Sequence, residues 1–259
     1  MPLLFKSSNG DTNIKGYNLY PLDSDPSLVV WLKFKNGDIN GTSITNYGVN
    51  KSSLTISPTL SGSLGYISTI SPNTHPSRFG STSLYSDNGT STRNNSAQYG
   101  IYYNINWPGN SWTINFWMYV YTFNTAIPYA NIIRVNSPIE VNLWFGGQDN
   151  ASSSNAISFS TSGIGAIGNT TISSGSWNHY IYTSNNGVFS FYLNNVLQSG
   201  YSTNPFPTAS FSSGTNINYI FGGFGQQYLS GYFADYRFFS RGLNSTEVNN
   251  LYNYSNSNY

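Results

Sequence analysis

Sugar rings stack on aromatic faces and exchange hydrogen bonds with hydroxyls and amides. Residues 111–122, SWTINFWMYVYT, supply both: Trp117, Tyr119 and Tyr121 alternate on one side of the run with Thr113 and Asn115. That polar-aromatic face has two readings, a platform for a pyranose or an outer sheet surface covered by other parts of the chain. Acid–base chemistry has weaker support. Hydrolysis of a glycosidic bond needs two carboxyls facing it, one protonated and one ionised. Nine acidic residues include only two glutamates, Glu140 and Glu247, with no E-x-D-x-E pairing near either. There is no Gly-x-Ser-x-Gly elbow, and zero cysteines exclude a thiol nucleophile, thiolate metal sites and disulfides. His75 and His179 stand too far apart in sequence to suggest a zinc site. The glycine-rich GIGAIGN (163–169) has no Lys and opens no helix, which argues against a phosphate loop. No catalytic set is expected, and the chain reads as a non-enzyme.

The elements that must hold this face are strands. At 259 residues, with 17% aromatic and 7% charged residues, the chain can bury a large core while Asn, Ser, Thr and Gly supply its polarity. A net charge of +1 and the lack of any Lys/Arg run argue against nucleic acid as a partner. No apolar run approaches the ~20 residues of a membrane span. The start, MPLLFKSSNGDT, has no secretory h-region, so no signal peptide is expected. Residues 1–27 read as an N-terminal arm or leader, set off by Pro21, Pro26 and an Asp/Ser cluster, and 28–259 as one domain. Within it, strands are expected at 28–34, 63–70, 81–85, 98–104, 111–122, 131–135, 139–145, 156–160, 176–183, 188–193, 216–221 and 232–239. Asn186-Gly187 signals a type I′ hairpin turn. After Gly242, Asn244 or Ser245 caps a short amphipathic turn carrying Glu247, Val248, Leu251 and Tyr252. Short strands and Gly/Asn-rich turns together predict an all-β, two-sheet antiparallel sandwich closed by a short C-terminal helical turn.

Five stretches carry a resemblance. The C-terminal LSGYFADYRFFSRGLNSTEVNNLYN resembles the closing signature of laminin-G-like, concanavalin A-like jelly-roll domains, with its "R-x-L-[ST]-x-x-E" turn and terminal Leu-Tyr. SWTINFWMYVYT resembles the family's "W-T-[IV]-[ST]-F-W" strand. SWNHYIYT and VFSFYL resemble its hairpin, with Asn194-Asn195 where Asn-Gly is usual, and LVVWLKF resembles its first strand. The resemblance covers roughly residues 28–253. It implies a packing or hydrogen-bonding role for His179. It also implies a calcium site whose first acid is replaced here by Ala234; Asp235 then either contributes to a metal site or pairs with Arg237. Asp23, Asp25, Asp87 and Asp149 are further oxygen donors, and no other cofactor is expected.

The expected function is recognition: a lectin-like module on a virion or cell surface that binds glycans or glycoproteins through Trp117, Tyr119 and Tyr121. The alternatives are a capsid or fibre component that packs with other virion or surface proteins, in an oligomer or assembly, and a secreted bacterial adhesin fragment.

Overall fold

The computed structural model describes residues 21–35, 37–40, 43–49, 54–58, 67–70, 83–86, 99–106, 108–122, 130–136, 141–145, 156–161, 164–171, 174–198, 215–220 and 230–257. After a single 3-10 turn, Pro21–Ser24, come β1 Leu28–Leu32, β2 Ile39–Asn40, β3 Ser43–Ile44, β4 Leu54–Pro58, β5 Ile67–Ile70 and β6 Ser83–Ser86. Next are β7 Tyr99–Asn106, β8 Trp112–Thr122, β9 Ala130–Asn136, β10 Val141–Phe145, β11 Ala156–Thr161 and β12 Ile164–Thr171. The last are β13 Trp177–Asn185, β14 Val188–Leu193, β15 Val196–Leu197, β16 Thr215–Ile220, β17 Ser230–Phe239 and the helix α1 Ser245–Ser257. They form two antiparallel sheets, the expected β-sandwich. One runs β15-β14-β13-β8-β17-β6-β5, with β1 also on β17; the other runs β12-β11-β10-β9-β16-β7-β4-β3-β2. Residues 164–169 of the GIGAIGN run lie in β12, which pairs with β11. His75, Asp87, Glu140, Asp149 and the run 221–227 lie outside the described residues.

Strand β8 is the axis of the first sheet. Its inward face, Trp112, Ile114, Phe116, Met118 and Val120, is buried as the alternation predicts. Tyr180 and Tyr182 of β13 stack beside Phe116 on the same face, at 5.1 and 6.4 Å between ring centres. The hairpin β13–β14 turns on Asn186 and Gly187, both at positive φ (51° and 83°), as a type I′ turn requires. Asn194 and Asn195 make the next reversal in the same way, at 50° and 68°. Asn tolerates the left-handed region better than other non-glycine residues, so it replaces the usual Gly there.

Strand β17 departs from simple alternation. Ala234 pairs with Trp117 but Arg237 pairs with Asn115, so the strand carries one extra residue. Asp235 sits in that bulge with φ of 51°. The bulge moves Arg237 and Phe239 onto the face of Tyr232 and Ala234, and leaves Phe233, Tyr236 and Phe238 facing inward. Unbroken alternation would instead have put Arg237 and Phe239 beside Phe233.

The outer face of this sheet has its own core. Leu243, Val248 and Leu251 of the closing segment pack on Leu22, Leu28, Trp31, Ile181 and Phe239. Fully burying side chains of this size is worth about 1.5–3 kcal/mol each. α1 has 13 residues, longer than the single turn expected. Its Asn and Ser residues are poor helix formers, so packing and its cap hold it rather than propensity. Asn244 is the cap: its Oδ1 accepts from Glu247 N at 3.0 Å, while Glu247 Oε2 accepts from Asn244 N at 2.9 Å. Gly242 is required by close approach, because a Cβ there would lie 2.6 Å from Ser184 O.

Candidate functional site

Strand register arranges the outer face into rows. Tyr232, Tyr119 and Trp177 sit side by side across β17, β8 and β13, and the next row is Ala234, Trp117 and His179. Below them come Arg237, Asn115 and Ile181, then Phe239, Thr113 and Thr183. The last row is closed by polar contacts to the segment before α1. The Thr113 and Thr183 hydroxyls lie 2.9 Å apart, and both accept from Leu243 N.

Trp117 is not an open platform. It is 3% exposed and stacks 6.0 Å from Tyr252 of α1, with His179 4.6 Å away on its own row. Of the two readings of this face, the covered one applies at Trp117, because α1 lies over it. His179 is buried and packs between Trp117 and Tyr252, 5.5 Å from the latter. Tyr119 keeps part of its surface open, and the side chain of Tyr121 lies outside the described residues. Tyr119 meets Trp177 edge-on, with ring centres 5.9 Å apart and planes inclined by 63°, and Tyr232 supports its other side at 5.8 Å. Trp177 and Tyr252 are also partly exposed. Sequence reading missed both. The signal for Trp177 was available, since it opens the strand next to β8 with outward parity. Tyr252 required knowing where the helix lies.

Asn194 fixes the corner beside Trp177. Its Oδ1 accepts from His179 N at 2.8 Å and its Nδ2 donates to Asn178 Oδ1 at 2.8 Å. The loop before β13 turns at Gly175 (φ 81°), whose N donates to Val120 O at 2.9 Å. A Cβ on Gly175 would come 4.0 Å from the Tyr119 hydroxyl, so the loop runs beside that ring.

Asp235 has a different role from the metal ligand that the family resemblance raised. Its Oδ1 accepts from Arg237 Nε and from the Trp31 indole, both at 2.7 Å, and both charged side chains are 0% exposed. Arg237 also donates to Asp23 Oδ1 at 2.7 Å and lies 4.3 Å over the Trp31 ring. A guanidinium against this carboxylate is incompatible with a cation at the same oxygen, and the described residues hold no group of three metal-ligating side chains. This donor set does not fit calcium. Lys33 Nζ lies over the other ring pair, 3.8 Å from Trp31 and 4.4 Å from Tyr47, and burial together with Lys35 lowers its pKa. The Tyr47 hydroxyl donates to Asp38 at 2.6 Å, a bond that pushes its pKa up to about 12.

A second ionic cluster lies one turn on. Arg241 donates to Asp25 and, at 2.7 Å, to Glu247. Asp23 and Asp25 thus reach Arg237 and Arg241 from residues 21–27, and the described part of the expected arm lies on the domain. Tyr254 of α1 adds a bond to Asp23 at 3.2 Å.

No curated protein sequence matches the chain. Among solved structures it is similar to Trypanosoma rangeli sialidase in complex with the inhibitor DANA (TM-score 0.59, 12% identity, 87% of this chain and 32% of that one). The same sialidase in complex with sialic acid aligns at TM-score 0.57 and 11% identity, over the same shares. The binding domain of Paraclostridial Mosquitocidal Protein 1 aligns at 0.58 and 16% identity, over 88% of this chain and 52% of that one. The chain therefore spans about a third to a half of these proteins, and at such identities the likeness shows the fold. The laminin-G family model described as Concanavalin A-like lectin/glucanases superfamily matches residues 91–249, more than half of the sequence. The chain belongs to the Concanavalin A-like lectin/glucanases superfamily.

Proposed function

We propose that this protein is a non-enzymatic recognition module, a lectin-like sandwich that binds glycans or a glycosylated partner at a virion or cell surface. Residues 28–259 form its single domain and 1–27 its arm. The observation that carries the reading is the partly exposed aromatic corner of Tyr119 and Trp177, held on paired strands and edged by the half-buried Asn194. A pyranose needs an aromatic ring face with polar groups at its border, and this surface offers both. The sparse acids support a binding role over hydrolysis: among the described residues Glu247 caps a helix and Asp235 is tied to Arg237. A glycan array with the purified protein and the Trp177→Ala variant, with and without a chelator, tests it. Binding lost in the variant and indifferent to the chelator is expected; silence on every glycan would refute it.

A packing role is favoured by one separate observation. Val196 and Leu197, at 62% and 57% exposure, form the edge strand β15 of the first sheet, and Val188, at 67%, opens the neighbouring β14. Natural proteins usually guard such an edge with charge. If the domain is a building block, Val196→Lys with Leu197→Lys shifts its mass in solution to a monomer without changing any glycan signal.

A further inference from the structure

The geometry points to a terminal neutral hexose or N-acetylhexosamine, and not an acidic sugar, as the ligand of the Tyr119–Trp177 corner. This inference rests on the recognition reading above. Two observations carry it independently of each other, one of shape and one of charge.

The two rings stand 5.9 Å apart and 63° from coplanar, an L-shaped corner rather than a flat shelf. One pyranose ring, roughly as wide as a single aromatic centroid spacing, lays its C–H face on one ring and its rim against the other. Tyr252 closes the side toward α1, stacked over Trp117, and the Gly175 turn closes the side at the Tyr119 hydroxyl. A corner bounded this way takes one residue end-on, whereas an internal unit of a polysaccharide needs a platform open in two directions.

Charge is segregated along β8. Of the described cations on this outer face, Lys33 follows β1 beyond β17 and holds its Nζ over Trp31 and Tyr47, and Arg237 pairs with Asn115, four residues along the strand from Tyr119. At about 3.3 Å per residue that is roughly 13 Å away. Arg237 is buried and already committed to Asp235 and Asp23. A carboxylate or sulfate on a sugar needs a donor cation within hydrogen-bond reach, ~2.7–2.9 Å, and pays desolvation without one. Among the described residues around the corner the polar groups are neutral: Asn194, Ser176 and the tyrosine hydroxyl. Neutral hydroxyls and an acetamide are satisfied by such groups, while an anion is not.

The test is an NMR titration of the full chain with methyl β-galactoside, methyl N-acetyl-β-glucosaminide and the methyl glycoside of N-acetylneuraminic acid. At least one neutral glycoside should bind about tenfold or more tightly than the sialoside, with the Trp177 indole among the shifted signals. Trp177→Ala should weaken it by about tenfold, and Trp177→Phe, which keeps a ring, by less. Ser176→Arg, at an exposed position beside the corner, should narrow or reverse the neutral-over-acidic preference. Equal or tighter sialoside binding by the unaltered chain would overturn this inference and leave the recognition reading standing. Shifts confined to signals away from the corner would overturn the site, and no shift with any glycoside would overturn both.

Discussion

Replacing Arg237 with Met should cost far more than a surface ion pair is worth. Arg237 and Asp235 are both 0% exposed, and Asp23, the other carboxylate on the guanidinium, is 15% exposed. In Arg237→Met, Asp23 rehydrates, but Asp235 keeps a charge in the interior with the Trp31 indole as its remaining described donor. Removing one partner of a buried pair costs about 3–5 kcal/mol. Loss of the cation over Trp31, at 4.3 Å, adds about 0.5–2 kcal/mol, and the Met side chain returns part of the packing. The sum is about 4 kcal/mol, or roughly 10 °C in midpoint for a chain of this size. Adding Asp235→Asn should recover about half of it, because Asn tolerates the left-handed bulge and still accepts from the indole without a charge. Thermal and guanidinium unfolding of the two singles and the double form a cycle that isolates the charge. A loss below about 1 kcal/mol in Arg237→Met, or a double no more stable than that single, would refute the account of a stranded carboxylate.

Acid should loosen the closing segment. Burial opposes ionisation of Asp25, but its bonds to Arg241 and Ser27 outweigh it and hold the carboxyl below its ordinary 3.8; the Arg241 bond likewise holds Glu247 below 4.5. Both folded-state values are depressed, so their stabilisation is fully present above about 4.5 and is lost as pH falls through the folded values. Melting curves from pH 7 to 2.5 should fall less steeply in Arg241→Gln, and parallel profiles would contradict this. Gly242→Ala forces backbone movement at Ser184 and Asn185 and should cost about 1–3 kcal/mol, with faster exchange of the Leu243 amide. Trp117→Ala should unfold the helix seat at a cost of about 3–5 kcal/mol, whereas Trp177→Ala should cost less than half of that; urea titration separates the two.

How much of this was legible follows from which interactions are local. The inward stripe of β8 and the Asn186-Gly187 turn are written in period and turn chemistry, and both are present as read. A helix cap at Asn244 or Ser245 was visible in the sequence, and the structure selects Asn244, bonded reciprocally with Glu247. The bulge at Asp235 was not, because an extra residue leaves no mark on alternation until the partner register is known. Neither was the fate of Trp117. A Trp on an outward face reads identically whether solvent or a helix lies above it, and α1 has weak propensity and a modest apolar stripe. The D-x-D of Asp23 and Asp25 looked like oxygen donors for a metal, and its guanidinium partners lie more than 200 residues away in sequence.

The pairing of Asp23 with Arg237 and Tyr254, and of Asp25 with Arg241, has a mechanical meaning. Tension applied between residues near 23 and near 254 meets these bonds first, before the backbone ladder of β1 on β17. The strap would part before any strand slides, and the aromatic corner, four residues along β8 from the Arg237 row, would keep its shape under pull. A domain wired this way behaves in a strained tether as a rigid bead on a short, re-formable clip.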